Sequence, residues 1–356
     1  MEHADSFSLL NKYRKPIMGF AALWILFFHE WQPIFLPDSV FAPVENYLQV
    51  IGFCGVDIFL MLSGMGLVYS IENNSIGKFY YNRIKRVFFP LLVMALVRKV
   101  YEGWSVSETL RNLFGVNFFA RNMYSFLWFG TAIIVLYLLF PLYYWIFDKA
   151  KNKTEFTLLV ITIWLILSIL LRDTLRNDLY GFTNRIPIFV IGVLIGYKCK
   201  HDTIAITRST WVLLSAILSL GLYLAWLTGF KSMEILVPVS DCCLPNILIA
   251  ISLPILLAKL IDLTVKVPLL KVVTKIIAAV LGFYGAFSME LYCVQEWLCA
   301  RIYERVEYVL SAKKIDLLFL VAVTVAGYVL YWMGRGVFSL MEKIIAALHS
   351  KEKVPQ

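Results

Sequence analysis

Residues 17–30 read IMGFAALWILFFHE, an uncharged run closed by His29 and Glu30. A membrane-crossing helix needs about 20 mainly apolar residues, and this run belongs to one of ten such windows in the chain. The windows are 16–36, 47–70, 86–102, 124–147, 156–172, 183–198, 210–229, 244–264, 276–300 and 315–339. None of them shows the alternation of a barrel strand, so helices are the expected spanning elements.

The composition supports a membrane protein. Of 356 residues, 60% are hydrophobic and 16% are charged, against about 45–50% and about 25% in a soluble domain. A soluble surface must carry charge, whereas a lipid-facing surface need not. No repeat, linker or low-complexity tract divides the chain. The sequence therefore predicts an all-α, polytopic transmembrane helical bundle of about ten helices, forming a single domain over residues 1–356.

The net charge of +9 is explained by membrane orientation. If the N-terminus is cytoplasmic, 21 of the 33 Lys and Arg residues fall on the cytoplasmic side, as the positive-inside rule requires. Both termini are then predicted to be cytoplasmic, and no nucleic-acid partner is expected. The six Cys show no metal-binding or disulfide spacing, so no metal site is expected.

Four polar residues stand out inside the apolar windows, namely His29, Asp57, Arg185 and Glu290. An ionisable group in the bilayer centre costs about 2.5–3.5 kcal/mol on insertion scales and usually has a function. His29 lies roughly 18 Å along its helix from Ile17, at 1.5 Å per residue. Asp57 reaches a similar depth on the next helix, where it could orient the imidazole. A structural hydrogen-bonded pair is the alternative.

Two further patterns have two interpretations each. Arg83 and Arg86 in FYYNRIKRVFFP are three residues apart and would share one helical face. They could bind phosphate in a bidentate manner, or serve only as positive-inside anchors. Gly192 and Gly196 form a GxxxG pair, which would allow a homodimer but fits helix packing within the bundle better.

The ordered segments MGFAALWILFFH, GVDIFLMLSG, FYYNRIKRVFFP, WFGTAIIVLYLLFPLY, NRIPIFVIGVLIG and SMELYCVQ resemble the type-3 membrane acyltransferase family. The resemblance covers about residues 13–340. It implies a ten-helix core and a bacterial integral-membrane enzyme that moves acyl groups, often acetyl, onto surface sugars and related acceptors.

The resemblance also implies roles for individual residues. His29 matches the family's catalytic His, with Glu30 or Asp57 as the carboxylate that orients it. The residues matched to the acyl-CoA end of the site are Ser63, Arg83 and Arg86. The residues matched to the acceptor or pocket are Arg185, Glu290 and Tyr292.

Two positions depart from the family pattern. Met18 stands where many members carry Arg, and Lys15 or Arg14 could reach the same volume one turn earlier. Gln295 replaces a His that is common in the late segment. The first departure puts the role of the family's Arg in question, and the second removes one proton carrier.

The implied function is transfer of an acyl group, acetyl by preference, from cytosolic acyl-CoA to a hydroxyl of a surface or lipid-linked carbohydrate. Acyl-CoA is then a co-substrate, and no permanently bound cofactor is expected. The expected partners are membrane lipid, the donor and the carbohydrate, in the bacterial inner membrane. The alternatives are a proton-coupled transporter or flippase of a glycan or lipid intermediate, in which His29, Asp57 and Glu290 relay protons, and a non-catalytic scaffold or sensor.

Overall fold

The computed structural model describes residues 7–30, 32–121, 128–171, 177–201, 206–231 and 243–352. Within these ranges the chain is predominantly helical and contains no β-strand, which confirms the predicted helical bundle. A 3₁₀ turn covers Ile51–Phe53 and a π-helical segment covers Ile84–Phe88. The α-helices are α1 (Ser8–Lys12), α2 (Arg14–Glu30), α3 (Ala42–Val50), α4 (Cys54–Glu72), α5 (Ile76–Arg83), α6 (Phe89–Glu102), α7 (Val106–Leu113), α8 (Val116–Ala120), α9 (Trp128–Lys149), α10 (Lys153–Leu170), α11 (Asn177–Thr183), α12 (Ile186–His201), α13 (Arg208–Lys231), α14 (Cys243–Lys266), α15 (Pro268–Ala286), α16 (Ser288–Val306) and α17 (Ala312–Glu352).

Eight helical segments of the described chain are long and apolar enough to cross a membrane by themselves. They are 42–72, 128–149, 153–170, 179–201, 208–231, 243–266, 268–286 and 312–347. Below, inner and outer denote the two sides predicted from the Lys and Arg distribution. The other two predicted windows, 16–36 and 86–102, coincide with the shorter helices α2 and α6.

The first helix is shorter than the predicted window of 16–36, because α2 ends at Glu30. Pro33 restricts the chain beyond that point. The backbone N–H groups of Ile34 and Phe35 donate to the two carboxylate oxygens of Glu45, at 2.9 and 3.0 Å. Side-chain acceptors on α3 therefore replace the helical acceptors that this segment lacks.

The predicted window 276–300 is not one helix, since the chain breaks at Phe287 between α15 and α16. Phe287 has φ −125° and ψ 30°, outside helical geometry. Gly282 and Gly285 weaken the helix just before the break. α15 packs mainly on α2, whereas α16 packs mainly on α17 and also contacts α2 and α6. The window therefore contains parts of two helices, and the first residues of α16 line a cavity inside the bundle.

The GxxxG pair of α12 packs within the chain, against α4. A Cβ at Gly196 would lie only 2.6 Å from the carbonyl oxygen of Met65. Gly192 faces Met61 of α4 in the same way. This confirms the packing interpretation of the pair, because a face covered by α4 cannot also contact a second copy.

Ion pairs join the inner ends of the helices. Lys12 Nζ lies 2.6 Å from Asp262 of α14, and this hydrogen bond raises the pKa of Lys12. At the end of α4, Glu72 lies 2.7 Å from Lys200 and also accepts from Tyr144. These contacts join α1 to α14, and α9 and α12 to α4, which carries part of the candidate site.

Candidate active site

Two neighbouring cavities lie among the helices and share part of their lining. The smaller one, which we call the inner cavity because it lies deeper in the bundle, has about 50 Å³ of free space. The larger one, which we call the vestibule, has about 530 Å³. They share Arg14, Met18, Arg86 and Met289 as lining residues. The full lining of the inner cavity is Arg14, Met18, Phe59, Ser63, Arg83, Arg86, Val87, Phe129, Ile133, Tyr137, Ser288, Met289 and Tyr292.

Arg14 is the cation that enters the inner cavity from the start of α2. Its Nη2 donates to the carbonyl oxygen of Leu62 at 2.8 Å, and its guanidinium lies against Gly66, which has no side chain to exclude it. Its Nε has no hydrogen-bond partner among the described atoms. Lys15 lines only the vestibule. Of the two cations proposed to compensate for Met18, Arg14 therefore reaches the inner cavity.

Arg83 and Arg86 both line the inner cavity, as their spacing predicted, but the backbone between them is not an α-helix. The N–H of Phe89 donates to the carbonyl of Ile84, five residues back. Pro90 has no N–H to donate to the Arg86 carbonyl, so the wider turn loses no α-helical bond there. The π-helical turn changes the angle between Arg83 and Arg86 around the helix axis. Such turns are frequent at functional sites.

The Arg83 side chain is held by its neighbours. Nη2 donates to Ser70 Oγ at 3.2 Å, and the guanidinium lies 5.6 Å from the ring centroids of both Phe79 and Tyr137. Tyr137 shares a 2.6 Å hydrogen bond with Ser63. Arg83 is thus a fixed member of the cavity wall, and Ser63 is fixed through Tyr137.

The inner cavity is strongly positive. Three arginines line it, and no Asp or Glu side chain does so among the described residues. Ser288 and Met289, the first residues of α16, complete the wall and add the positive end of a helix dipole. Glu290 lines the vestibule instead. The arrangement suits a phosphorylated ligand.

Aromatic side chains close the outer end of the inner cavity. The ring of Phe129 lies 5.1 Å from that of Tyr292 and 6.5 Å from that of Phe59. The backbone N–H of Phe129 donates to the Tyr292 hydroxyl at 3.3 Å. We call these three residues the aromatic plug. It separates the arginine-lined space from the polar residues nearer the outer side.

Beyond the plug lies a buried polar cluster at the outer ends of three helices. The Asp57 carboxylate of α4 accepts from Asn246 of α14 at 3.3 Å and lies 3.6 Å from Arg185 Nε, just before α12. The Arg185 guanidinium also donates to the Gly181 carbonyl and covers the Trp128 ring at 5.3 Å. The cluster joins α4, α12 and α14. Through Arg185 it also contacts Trp128, which directly precedes Phe129 of the plug.

His29 lies at the outer end of α2, exposed, with its ring 4.7 Å from that of Phe28. The described contacts pair Asp57 with Arg185 and Asn246 and do not join it to His29. The side chain of Glu30 lies outside the described residues. The structure therefore brings together the residues expected at the donor end, while His29 stands apart from them near the outer side.

Two members of these sites, Asn246 and Tyr137, are not among the residues predicted from the sequence. Asn246 is a polar residue inside the apolar segment CLPNILIAISLP and could have been found by the same search that found Asp57. Tyr137 gave no such signal, because a tyrosine in an aromatic-rich helix is ordinary.

Comparisons with known proteins place the chain in a family. A family model described as an acyltransferase domain, that of the acyltransferase 3 family, matches residues 19–336. The protein "Putative acetyltransferase ORF330" of Acidianus two-tailed virus is 36% identical over 80 residues, which are 22% of each chain. The chain thus spans about a fifth of that relative's length. No solved structure matches the chain. The family match covers every residue that lines the two cavities except Arg14, Lys15 and Met18, and the chain belongs to the acyltransferase 3 family of membrane proteins.

Proposed function

We propose that the protein transfers an acyl group, acetyl by preference, from cytosolic acyl-CoA to a hydroxyl of a surface or lipid-linked carbohydrate. An acyl-CoA donor is supported by the inner cavity, where Arg14, Arg83 and Arg86 converge beside the first turn of α16. Fork-shaped guanidinium groups and a helix N-terminus both favour phosphate oxygens. The diphosphate of CoA is a ligand of this kind. We propose that the protein lies in the cell membrane.

The length of α2 fits a donor that reaches towards His29. Arg14 and His29 are fifteen positions apart on this helix, or about 22 Å at 1.5 Å per residue. The extended pantetheine arm is roughly 15 Å long. The Arg14 side chain, which reaches into the inner cavity, covers part of the remaining distance. A donor bound at the arginines therefore directs its thioester to the aromatic plug, towards the outer half of α2.

His29 is the proposed general base. Its imidazole takes the proton of the acceptor hydroxyl while the hydroxyl oxygen attacks the thioester carbonyl. The carbon–sulfur bond then breaks, and the departing thiolate takes the proton back from the imidazolium. The products are the acylated carbohydrate and free CoA, and no proton is gained or lost overall. Transient acylation of His29 itself is the second route to the same products.

Binding and turnover measurements on purified protein test the two halves of this proposal separately. Arg86→Gln is expected to weaken acetyl-CoA binding by about 10- to 100-fold, as expected for one charge-assisted hydrogen bond. His29→Ala is expected to bind acetyl-CoA normally and to lose transfer to a carbohydrate acceptor. His201→Gln, at the inner end of α12, is the control histidine. Normal transfer by His29→Ala would contradict the assigned role.

The break between α15 and α16, with the start of α16 at the inner cavity, also favours a second function. Discontinuous helices with their half-helix ends at a binding site are typical of transporters. In that case a flippase moves the lipid-linked carbohydrate without modifying it. Mass spectrometry of the carbohydrate after incubation with acetyl-CoA distinguishes the two, because only the acyltransferase adds the mass of an acyl group.

A further inference from the structure

One wall of the vestibule is formed by α17, which contributes no residue to the lining of the inner cavity. The free volume of the vestibule, about 530 Å³, lies within the usual range of about 300–1,000 Å³ for small-molecule sites. Tyr331, Gly334 and Arg335 of α17 form one side of it. Arg335 lies 23 positions into α17, about 35 Å from its outer end, and therefore at the inner side of the bundle.

Arg335 and Tyr331 are one helical turn apart and act as a unit. Arg335 Nη1 donates to the Tyr331 hydroxyl at 3.1 Å, and its guanidinium lies 5.6 Å from the centroid of the same ring. The Trp332 ring lies on its other side, at 5.1 Å. Gly334 lets α17 approach α6, since a Cβ there would lie 3.0 Å from the Phe89 ring. A flat aromatic surface and a fork of donors thus face the same space.

The charges of the vestibule are unevenly neutralised. Its lining contains five cations, namely Arg14, Lys15, Lys85, Arg86 and Arg335, but a single carboxylate, Glu290, among the described residues. Lys85 is paired with Glu342 at 3.0 Å. No described carboxylate lies within ion-pair distance of Arg335. The vestibule therefore favours an anion beyond the one expected at the inner cavity.

We infer that Arg335 binds the 3′-phosphate of the donor's nucleotide and that Tyr331 supports its adenine ring. This inference rests on the proposed acyl-CoA donor. With the diphosphate at Arg14 and Arg86, the adenosine 3′-phosphate is the part of CoA left for the wider space. Arg335 lines the vestibule only, whereas Arg14 and Arg86 also line the inner cavity. Arg335 accordingly selects CoA thioesters over thioesters that lack the 3′-phosphate.

Direct binding to the full-length protein in nanodiscs tests the site without any acyl transfer. The probes are adenosine 3′,5′-bisphosphate and adenosine 5′-monophosphate, which differ only in the 3′-phosphate. We expect the bisphosphate to bind the unmodified protein about 10- to 100-fold more tightly. Arg335→Gln should bring the two affinities to within about threefold. Lys343→Gln, which removes a cation of the same helix outside the vestibule lining, should leave the preference intact.

A second readout compares acetyl-CoA with acetyl-3′-dephospho-CoA as donors, and Arg335→Gln is expected to lower only the kcat/KM for acetyl-CoA. Equal binding of both nucleotides by the unmodified protein would overturn the inference, as would an undiminished preference in Arg335→Gln. Tight, Arg335-dependent binding of the bisphosphate with no acyl transfer from either donor would leave the site intact. That result would contradict the proposed function instead.

Discussion

Arg14 donates a 2.8 Å hydrogen bond from its guanidinium to the carbonyl oxygen of Leu62, across the interface between α2 and α4. The bond holds a long cationic side chain inside the bundle, where it lines both cavities. Gly66, one turn further along α4, leaves the space that the guanidinium fills. The donor site therefore depends on a missing side chain as much as on the arginine.

Gly66→Ala is expected to displace Arg14 without unfolding the protein. The added Cβ would lie 2.7 Å from Arg14 Cζ, and the flexible end of this side chain can move. Loss of one charge-assisted hydrogen bond should weaken acetyl-CoA binding by about 10- to 100-fold, measured by titration of purified protein. Gly77→Ala on α5 meets no atom within 4 Å and is the matched control. Equal affinity in both variants would show that Arg14 does not contact the donor.

Asp57 and Arg185 are expected to be coupled in stability. Removing one member of a buried ion pair leaves an uncompensated charge and costs about 3–5 kcal/mol. Asp57→Asn and Arg185→Gln should therefore each lower the thermal transition temperature strongly. The double variant should recover part of the loss, since no unpaired charge remains.

Acyl transfer measured on the same variants separates two roles of Asp57. If the carboxylate serves mainly to hold Arg185, activity should follow stability and recover in the double variant. If Asp57 also orients His29, the double variant should stay inactive although it is stable. If the losses of stability in the two single variants simply add in the double variant, the 3.6 Å approach of the two groups does not stabilise the protein.

The aromatic plug is expected to keep water from the bound thioester. Phe129→Ala should raise the hydrolysis of acetyl-CoA in the absence of acceptor several-fold, because an opened site admits water as a competing nucleophile. Ile133→Ala, one turn inward on α9 and in the same lining, should not do so. Gel filtration of both variants checks folding, and equal hydrolysis rates would contradict the role of the plug.

The α4–α12 interface is expected to tolerate no side chain at Gly196. A Cβ there meets the Met65 backbone at 2.6 Å, so the two helices must separate. Gly196→Ala should destabilise the protein by about 1–3 kcal/mol, seen as a lower thermal transition temperature. Gly336→Ala on α17 meets no atom within 4 Å and should be neutral or slightly stabilising. An unchanged transition in Gly196→Ala would show that this packing is not tight.

Hydropathy alone was enough to predict the helical bundle, because lipid demands apolar side chains and internally satisfied backbone groups. The same rule singled out Asp57, Arg185 and Glu290 as polar residues in apolar segments. It failed locally at α15 and α16. The break gave no local signal, because Phe287 is neither a proline nor a polar residue, although α16 is much less apolar than α15.

Which residues share a site was decided only by the tertiary structure. The sequence left Lys15 and Arg14 equivalent as substitutes at Met18, and the close approach of α2 to Gly66 separates them. It also suggested that His29 and Asp57 meet, because depth along a helix can be counted from residue numbers. Rotation about the helix axis is set by packing against neighbouring helices. That packing turned Asp57 towards Arg185 and Asn246, and it assembled Arg14, Arg83 and Arg86 around one cavity.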